Sequence, residues 1–286
     1  MIWLIGNKGM LGSDLESVLR SYNYNFIVSD KEVDITNLTE LKSFTRNKNI
    51  TWIINCAAYT AVDRAEDETD LCYRINADGP ENIGIVAKQL NAKVIHISTD
   101  YVFDGTKNSP YTEEDPVNPL NVYGKSKAEG EKRLMATNPQ SVIIRTAWLY
   151  GKNGNNFVYT MLRLMKERDE INVVNDQFGN PTWSMDLTMV IKKIIDTAVN
   201  ASGIYNYTNE GMTNWFEFAN KIYEFGRELG ILYKDCKINP VGTDQYPVIA
   251  KRPVYSVLSK NKIKKIFNLE IPLWDKSLKL FMTSLK

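Results

Sequence analysis

The chain has 286 residues, room for one large domain or a domain with a lobe, and 43% of them are hydrophobic, enough for a buried core. Its 35 basic and 34 acidic residues nearly cancel, and with neither a basic stripe nor a long apolar run, binding to nucleic acid and spanning of a membrane are not expected. Cys56, Cys72 and Cys236 are odd in number and widely spaced, which fits reduced thiols in a cytoplasm better than a disulfide framework or a zinc site; no signal or transit peptide is visible.

Residues 1–5 form a short apolar strand that runs directly into Gly6-x-x-Gly9-x-x-Gly12, after which Met10, Leu11, Leu15, Val18 and Leu19 recur at helical spacing. Strand, glycine turn and helix are the context of a dinucleotide pyrophosphate site: Gly6 allows the turn, Gly9 the approach of phosphate, and Gly12 close helix packing. An ordinary strand-to-helix turn is the alternative. The second strand, residues 25–29, ends at Asp30, eighteen residues past Gly12, where a carboxylate can accept hydrogen bonds from ribose hydroxyls. That favours NAD. Lys31 follows at once and suits the 2′-phosphate of NADP, so both cofactors stay open; Asp30 as a simple loop cap is the bland reading. Asp34 and Ile35 would bracket the adenine.

Strands at residues 52–55, 93–98 and 141–146 alternate with helices at 71–90 and 122–136, the pattern of an α/β, doubly wound parallel sheet. Gly6, Asp30, Ala57, Thr99 and Ala147 then fall at the carboxyl ends of the strands, where ligands bind. The only histidine, His96, sits inside an apolar strand and reads as a core residue, so any acid chemistry falls to tyrosine. Tyr123 and Lys127 supply it: four residues apart, they share a helix face, where an ammonium can stabilise a phenolate. By itself Tyr-x-x-x-Lys also describes many solvated helix faces.

Beyond residue 150, helices at 155–167, 185–198 and 215–229 and a strand at 171–174 form a smaller α/β lobe, discontinuous in sequence. The division expected is a dinucleotide-binding domain over 1–150, joined by later segments, and a mainly substrate-binding lobe over 151–286.

Further runs are specific. Ser98-Thr99-Asp100-Tyr101-Val102-Phe103-Asp104-Gly105 precedes the Tyr123 helix, Asn55 to Asp63 reads NCAAYTAVD, Arg145 to Gly151 reads RTAWLYG, Asn175 to Thr182 reads NDQFGNPT, and Lys251-Arg252-Pro253 follows. In this order they resemble the dTDP-4-dehydrorhamnose reductase family of the extended short-chain dehydrogenase/reductases, over nearly the whole chain. The resemblance implies a Rossmann-type fold and NAD(P)H-dependent reduction of the sugar C4 ketone, the last step of dTDP-L-rhamnose synthesis for cell-surface polysaccharide. It implies Thr99, Tyr123 and Lys127 as catalytic residues. Gly6, Gly9, Met10, Leu11, Gly12, Asp30, Asp34, Ile35, Ala57, Ala58 and Thr60 would join Tyr123 and Lys127 around the cofactor. Val62, Thr99, Asp100, Tyr101, Tyr123 and Trp148 would surround the deoxysugar, and Arg252 would grip the diphosphate. A core tryptophan and a surface arginine are the plainer alternatives for Trp148 and Arg252. The family also includes homodimers bridged by structural Mg²⁺, for which no ligand set is matched here.

Two rivals remain at this level. A nucleotide-sugar 4,6-dehydratase or 4-epimerase shares the Tyr and Lys, but dehydratases follow the Thr with Asp-Glu, and here Tyr101 stands where that Glu would be. A non-catalytic subunit like that of methionine adenosyltransferase can also keep Tyr-x-x-x-Lys, although the run Arg145 to Trp148 departs from it.

Overall fold

The computed structural model describes residues 1–197, 201–246 and 248–286. The first half runs β1 (Ile2–Ile5), α1 (Met10–Ser21), β2 (Phe26–Ser29), α2 (Leu38–Thr45), β3 (Trp52–Asn55), α3 (Thr69–Tyr73), α4 (Gly79–Leu90), β4 (Lys93–Thr99), α5 (Val122–Thr137) and β5 (Val142–Thr146). The second half adds β6 (Leu149–Tyr150), α6 (Phe157–Glu167), β7 (Glu170–Val174), β8 (Phe178–Gly179), β9 (Thr182–Trp183), α7 (Ser184–Asp196), β10 (Gly203–Asn206), β11 (Thr213–Asn214), α8 (Trp215–Glu228), β12 (Lys237–Val241), α9 (Asn261–Phe267) and α10 (Trp274–Thr283).

Six parallel strands form the central sheet in the order β2-β1-β3-β4-β5-β10. Such strands are covered on both faces and read as continuous apolar runs whose alternate residues serve different layers. Along β1, Ile2 and Leu4 pack with Leu11, Leu15 and Leu19 of α1 and Leu187 and Ile191 of α7. Trp3 and Ile5 pack on the opposite face with Leu41 of α2, Ile83 and Val86 of α4 and Leu134 of α5. The result is a Rossmann-type doubly wound sheet. Its strand order reverses between β1 and β3, which opens a crevice at their carboxyl ends.

The smaller α/β lobe has its own core. Val158, Met161, Leu162 and Met165 of α6 meet Phe218 and Ile222 of α8 and Leu278 and Phe281 of α10, beside the paired parallel strands β7 and β12. As expected, the sheet gains a member from the second half, since β10 pairs with β5. The helix expected over 185–198 is α7; Ala198 lies outside the described residues. No helix among the described residues is long and apolar enough to cross a membrane.

One expected element is different. The helix read across 71–90 is α3 and α4 joined by a π-helical turn, Arg74–Asp78. Pro80 lacks an N–H, and its ring collides with the carbonyl four residues back, that of Asn76, in a regular helix; widening the turn removes the collision. The other expected strands and helices lie within one or two residues of those found.

Candidate active site

The crevice holds two hollows that share Gly9, Cys56 and Ala58. The first, of about 510 Å³, is bounded by the glycine turn, Asp30, Lys31, Asp34, Ile35 and Ala57. Gly6 has φ +79° and a side chain there would strike Ala57 N at 2.9 Å, while a Cβ on Gly12 would stand 2.0 Å from Gly6 O. Only glycines fit so tight a turn. Gly9 then caps α1 without a side-chain bond, so the first-turn N–H groups carry no capping side chain. A built anion cradle, an acidic residue at the end of β2 and an apolar wall at Ile35 fit a dinucleotide.

The second hollow, about 450 Å³, brings together Thr99, Asp100, Tyr123, Lys127 and Trp148, with Met10, Leu11 and Thr60 on its cofactor side. Local structure fixes the helix that bears Tyr123 and Lys127. Asn121 Oδ1 accepts the Gly124 N–H at 2.8 Å as the N-cap of α5, and Asn121 Nδ2 donates to Lys251 O at 2.8 Å. Behind it, Glu131 takes a paired hydrogen bond from Arg145 of β5 at 2.9 and 2.7 Å and another from Ser98 at 2.5 Å, all buried. Helix and sheet are thereby tied one turn below Lys127.

The electrostatics of this hollow differ from the expectation that Lys127 depresses the Tyr123 pKa. Burial pushes the Tyr123 hydroxyl above its ordinary range, opposed by the Thr99 hydroxyl. Lys127 is itself lowered to about 8 by burial, and its nitrogen donates to Ile97 O at 2.6 Å and lies 3.3 Å from His96 Nε2. The physical reason is desolvation: burial penalises the Tyr123 phenolate more than its hydrogen bond to Thr99 restores. Thr99 Oγ1 lies 3.0 Å from Asp100 Oδ1, to which it donates, and accepts the Tyr101 N–H at 3.2 Å. Asp100 is raised to about 6 by burial, and Tyr101 packs edge-on against Tyr123 at 5.9 Å. Burial also raises the Cys56 thiol to about 12, so it is a neutral wall residue.

A third hollow of about 430 Å³ opens in the lobe against Asp63, Phe157, Gln177, Trp215 and Arg252. Arg252 donates to both carboxylate oxygens of Asp63, at 3.1 and 2.7 Å, and to Ala250 O at 3.0 Å. It is thus a held guanidinium and not a loose surface charge; Arg252 in turn holds the Asp63 carboxyl below its usual range. Trp148, at φ +47°, lines the second hollow and stacks on Trp215 at 3.6 Å, so this pair is the partition between hollows. Only part of the Trp148 indole is left to face a sugar. Val62 is half-buried in the loop before Asp63.

The RmlD substrate binding domain model matches residues 1–286. The dTDP-4-dehydrorhamnose reductase of Aggregatibacter actinomycetemcomitans is 41% identical over 282 residues, covering 96% of each chain. This chain belongs to the dTDP-4-dehydrorhamnose reductase family. Solved structures of dTDP-4-dehydrorhamnose reductases agree: that from Clostridium acetobutylicum superposes with a TM-score of 0.93 at 42% identity, covering 99% of both chains. That from Bacillus anthracis, in complex with NADP, gives 0.93 at 40% identity, covering 99% of this chain and 98% of that one.

For a dTDP-4-dehydrorhamnose reductase family member, sequence reasoning missed four contributors to the site. His96 is buried in the core as read, yet its ring reaches Lys127. Asp63 stood next to Val62 in a quoted run, but nothing local ties it to a residue 189 positions away. Trp215 and Phe157 open helices α8 and α6, whose apolar spacing signals only a core. Among the described residues no three His, Cys, Asp or Glu side chains cluster as a metal's donors would.

Proposed function

We propose that this protein is an NAD(P)H-dependent oxidoreductase that reduces the C4 ketone of dTDP-4-dehydro-6-deoxy-L-mannose to give dTDP-L-rhamnose. The observation that carries this reading is the convergence of Thr99, Tyr123 and Lys127 in one hollow continuous with the glycine turn. A dinucleotide bound along that turn supplies the hydride. Tyr123 donates its proton to the ketone oxygen, and its high pKa keeps it protonated until the oxygen takes on charge. Thr99 hydrogen-bonds the same oxygen, its hydroxyl hydrogen turning to it from Asp100 Oδ1. Lys127 holds the nicotinamide ribose. Asp30 accepts from the adenosine ribose, with Lys31 beside it for a 2′-phosphate, so both cofactors are admitted.

The deoxysugar lies between Tyr101, Val62 and the free part of Trp148, and Arg252 grips the diphosphate from the third hollow. In this scheme residues 1–150, with β10 and α7, hold the cofactor, and residues 151–286 mainly hold the sugar nucleotide. The test is oxidation of NADPH and of NADH on adding dTDP-4-keto-L-rhamnose, with dTDP-4-keto-6-deoxy-D-glucose as control. Turnover with the L-configured ketone alone, giving dTDP-L-rhamnose, supports the assignment. Turnover only with the D-configured ketone redirects it to another sugar, and silence in protein that binds both cofactors refutes it.

A further inference from the structure

His96 is the only histidine in the chain, and the reaction above does not use it. It is fully buried in β4, between the end of β3 and helix α5. Its two ring nitrogens face different partners: Nδ1 lies 3.0 Å from Asn55 Nδ2, and Nε2 lies 3.3 Å from Lys127 Nζ. Burial lowers its pKa well below the ordinary value, with the Lys127 charge acting in the same direction, so the ring is neutral. A neutral imidazole donates from one nitrogen and accepts at the other.

Asn55 decides which. Its Oδ1 accepts the Ala57 N–H at 3.1 Å, so the group turned to the ring is the NH₂, which donates to Nδ1. The ring proton therefore sits on Nε2 and points at Lys127. Facing an ammonium, that N–H is a donor opposed to a donor; facing an amine, it makes a hydrogen bond to the lone pair. Turning the Asn55 amide over would relieve the conflict only by leaving the Ala57 N–H without its acceptor. Ala57 lines the cofactor hollow, so this network joins the floor of that hollow to Lys127.

We infer that His96, its tautomer fixed by Asn55, is a positioning residue for Lys127: it holds the nitrogen through its lone pair and favours the amine over the ammonium. The other groups facing Lys127 are accounted for. Glu131, one turn on in α5, favours the ammonium but is shared with Arg145 and Ser98; Cys72 from α3 and Cys56 after β3 are thiols raised by burial. Tyr123 and Asp100 line the same hollow. Lys127 so placed titrates near 8, and the limb of the rate profile set by that titration reports the ring beside it.

The inference rests on the place of Lys127 in the proposed reaction, and its first test needs no turnover. Protein labelled with ¹⁵N-histidine gives a single imidazole, whose long-range ¹H–¹⁵N spectrum reports the tautomer. The expected ring is neutral and protonated at Nε2 between about pH 6 and about pH 9. A proton on Nδ1, or an imidazolium, overturns the inference.

Asn55→Asp supplies the second arm. Its carboxylate accepts from Nδ1, moves the ring proton there and turns the Nε2 lone pair toward Lys127. The limb of kcat/KM set by Lys127 then moves up by about one pH unit or more, with the tautomer switch seen in the same protein. A new charge alone also raises Lys127, so a limb that moves while the proton stays on Nε2 overturns the part given to His96. If that variant does not fold, the spectrum of the unaltered protein decides alone. An Nε2 proton in protein that reduces no sugar nucleotide sinks the proposed function and leaves the Lys127 contact standing.

Discussion

Tyr123 is half-buried in the second hollow and T-stacked on Tyr101, so removing its oxygen tests the proton without disturbing the packing. Tyr123→Phe is expected to lower kcat by about 10²- to 10⁴-fold while the dinucleotide Kd changes by less than about twofold, read by single-turnover kinetics and titration. An unchanged rate removes Tyr123 from the mechanism. Asp100 offers a pH-dependent counterpart. Its folded pKa, about 6, stands above the ordinary aspartate value of 3.8, first because of burial. A carboxyl that binds its proton more tightly when folded contributes stability that is full below the unfolded pKa and lost as pH rises through the folded one. Asp100→Asn removes that loss. The variant should therefore gain about 3 kcal/mol relative to the unaltered protein between about pH 4 and about pH 7.5, an upper figure from two pKa units, measured by denaturant midpoints. A difference that stays flat across that range shows that Asp100 does not keep its proton into the folded state's neutral range.

At the level of elements, the strands were legible because a strand buried on both faces leaves a short apolar run with a turn signal after it, as in β1 and β3. Helices were legible by spacing, whereas the Asn121 cap that fixes the start of α5 is found only in the structure. The π-helical turn was not, because the apolar rhythm through residues 71–90 is nearly continuous and only Pro80 marks a break. That turn matters to the site. The Asn76 side chain is pinned by Tyr59 N, Tyr59 O and Ser126 Oγ, and its carbonyl oxygen approaches α5 where Gly130 leaves room. A Cβ on Gly130 would lie 2.0 Å from Asn76 O, against backbone that cannot swing aside. Gly130→Ala should cost about 1–3 kcal/mol of stability by overpacking, and should also lower kcat, because the displaced helix carries Tyr123 and Lys127. A thermal melt and a rate measurement on the same sample check it; a variant with normal stability would show that α5 can shift freely against the π-helical turn. The candidate site was legible to a similar degree: motif residues marked the triad, whereas the His96 ring beside Lys127 follows from the register of β3, β4 and α5 and leaves no local trace.

Across the whole molecule, the sheet and the lobe have separate hydrophobic cores, and the Asp63–Arg252 pair joins the loop after β3 to the C-terminal segment. Because Asp63 is partly exposed, the pair adds little to stability; its use is to hold a planar guanidinium at the edge of the third hollow. The cofactor hollow shares no lining residue with that third hollow. The two ligands should therefore protect the fold independently. A ligand present at about one hundred times its Kd stabilises by about 2.7 kcal/mol, on the order of 5 °C in a chain of this size. In Arg252→Gln the protection by dTDP is expected to fall by more than about half, since the positive charge at the edge of the third hollow is gone, while protection by NADPH stays as it was. Thermal melts with each nucleotide separate the outcomes: loss of both protections means that the substitution has loosened the lobe against the sheet, and retention of both means that the diphosphate is held elsewhere.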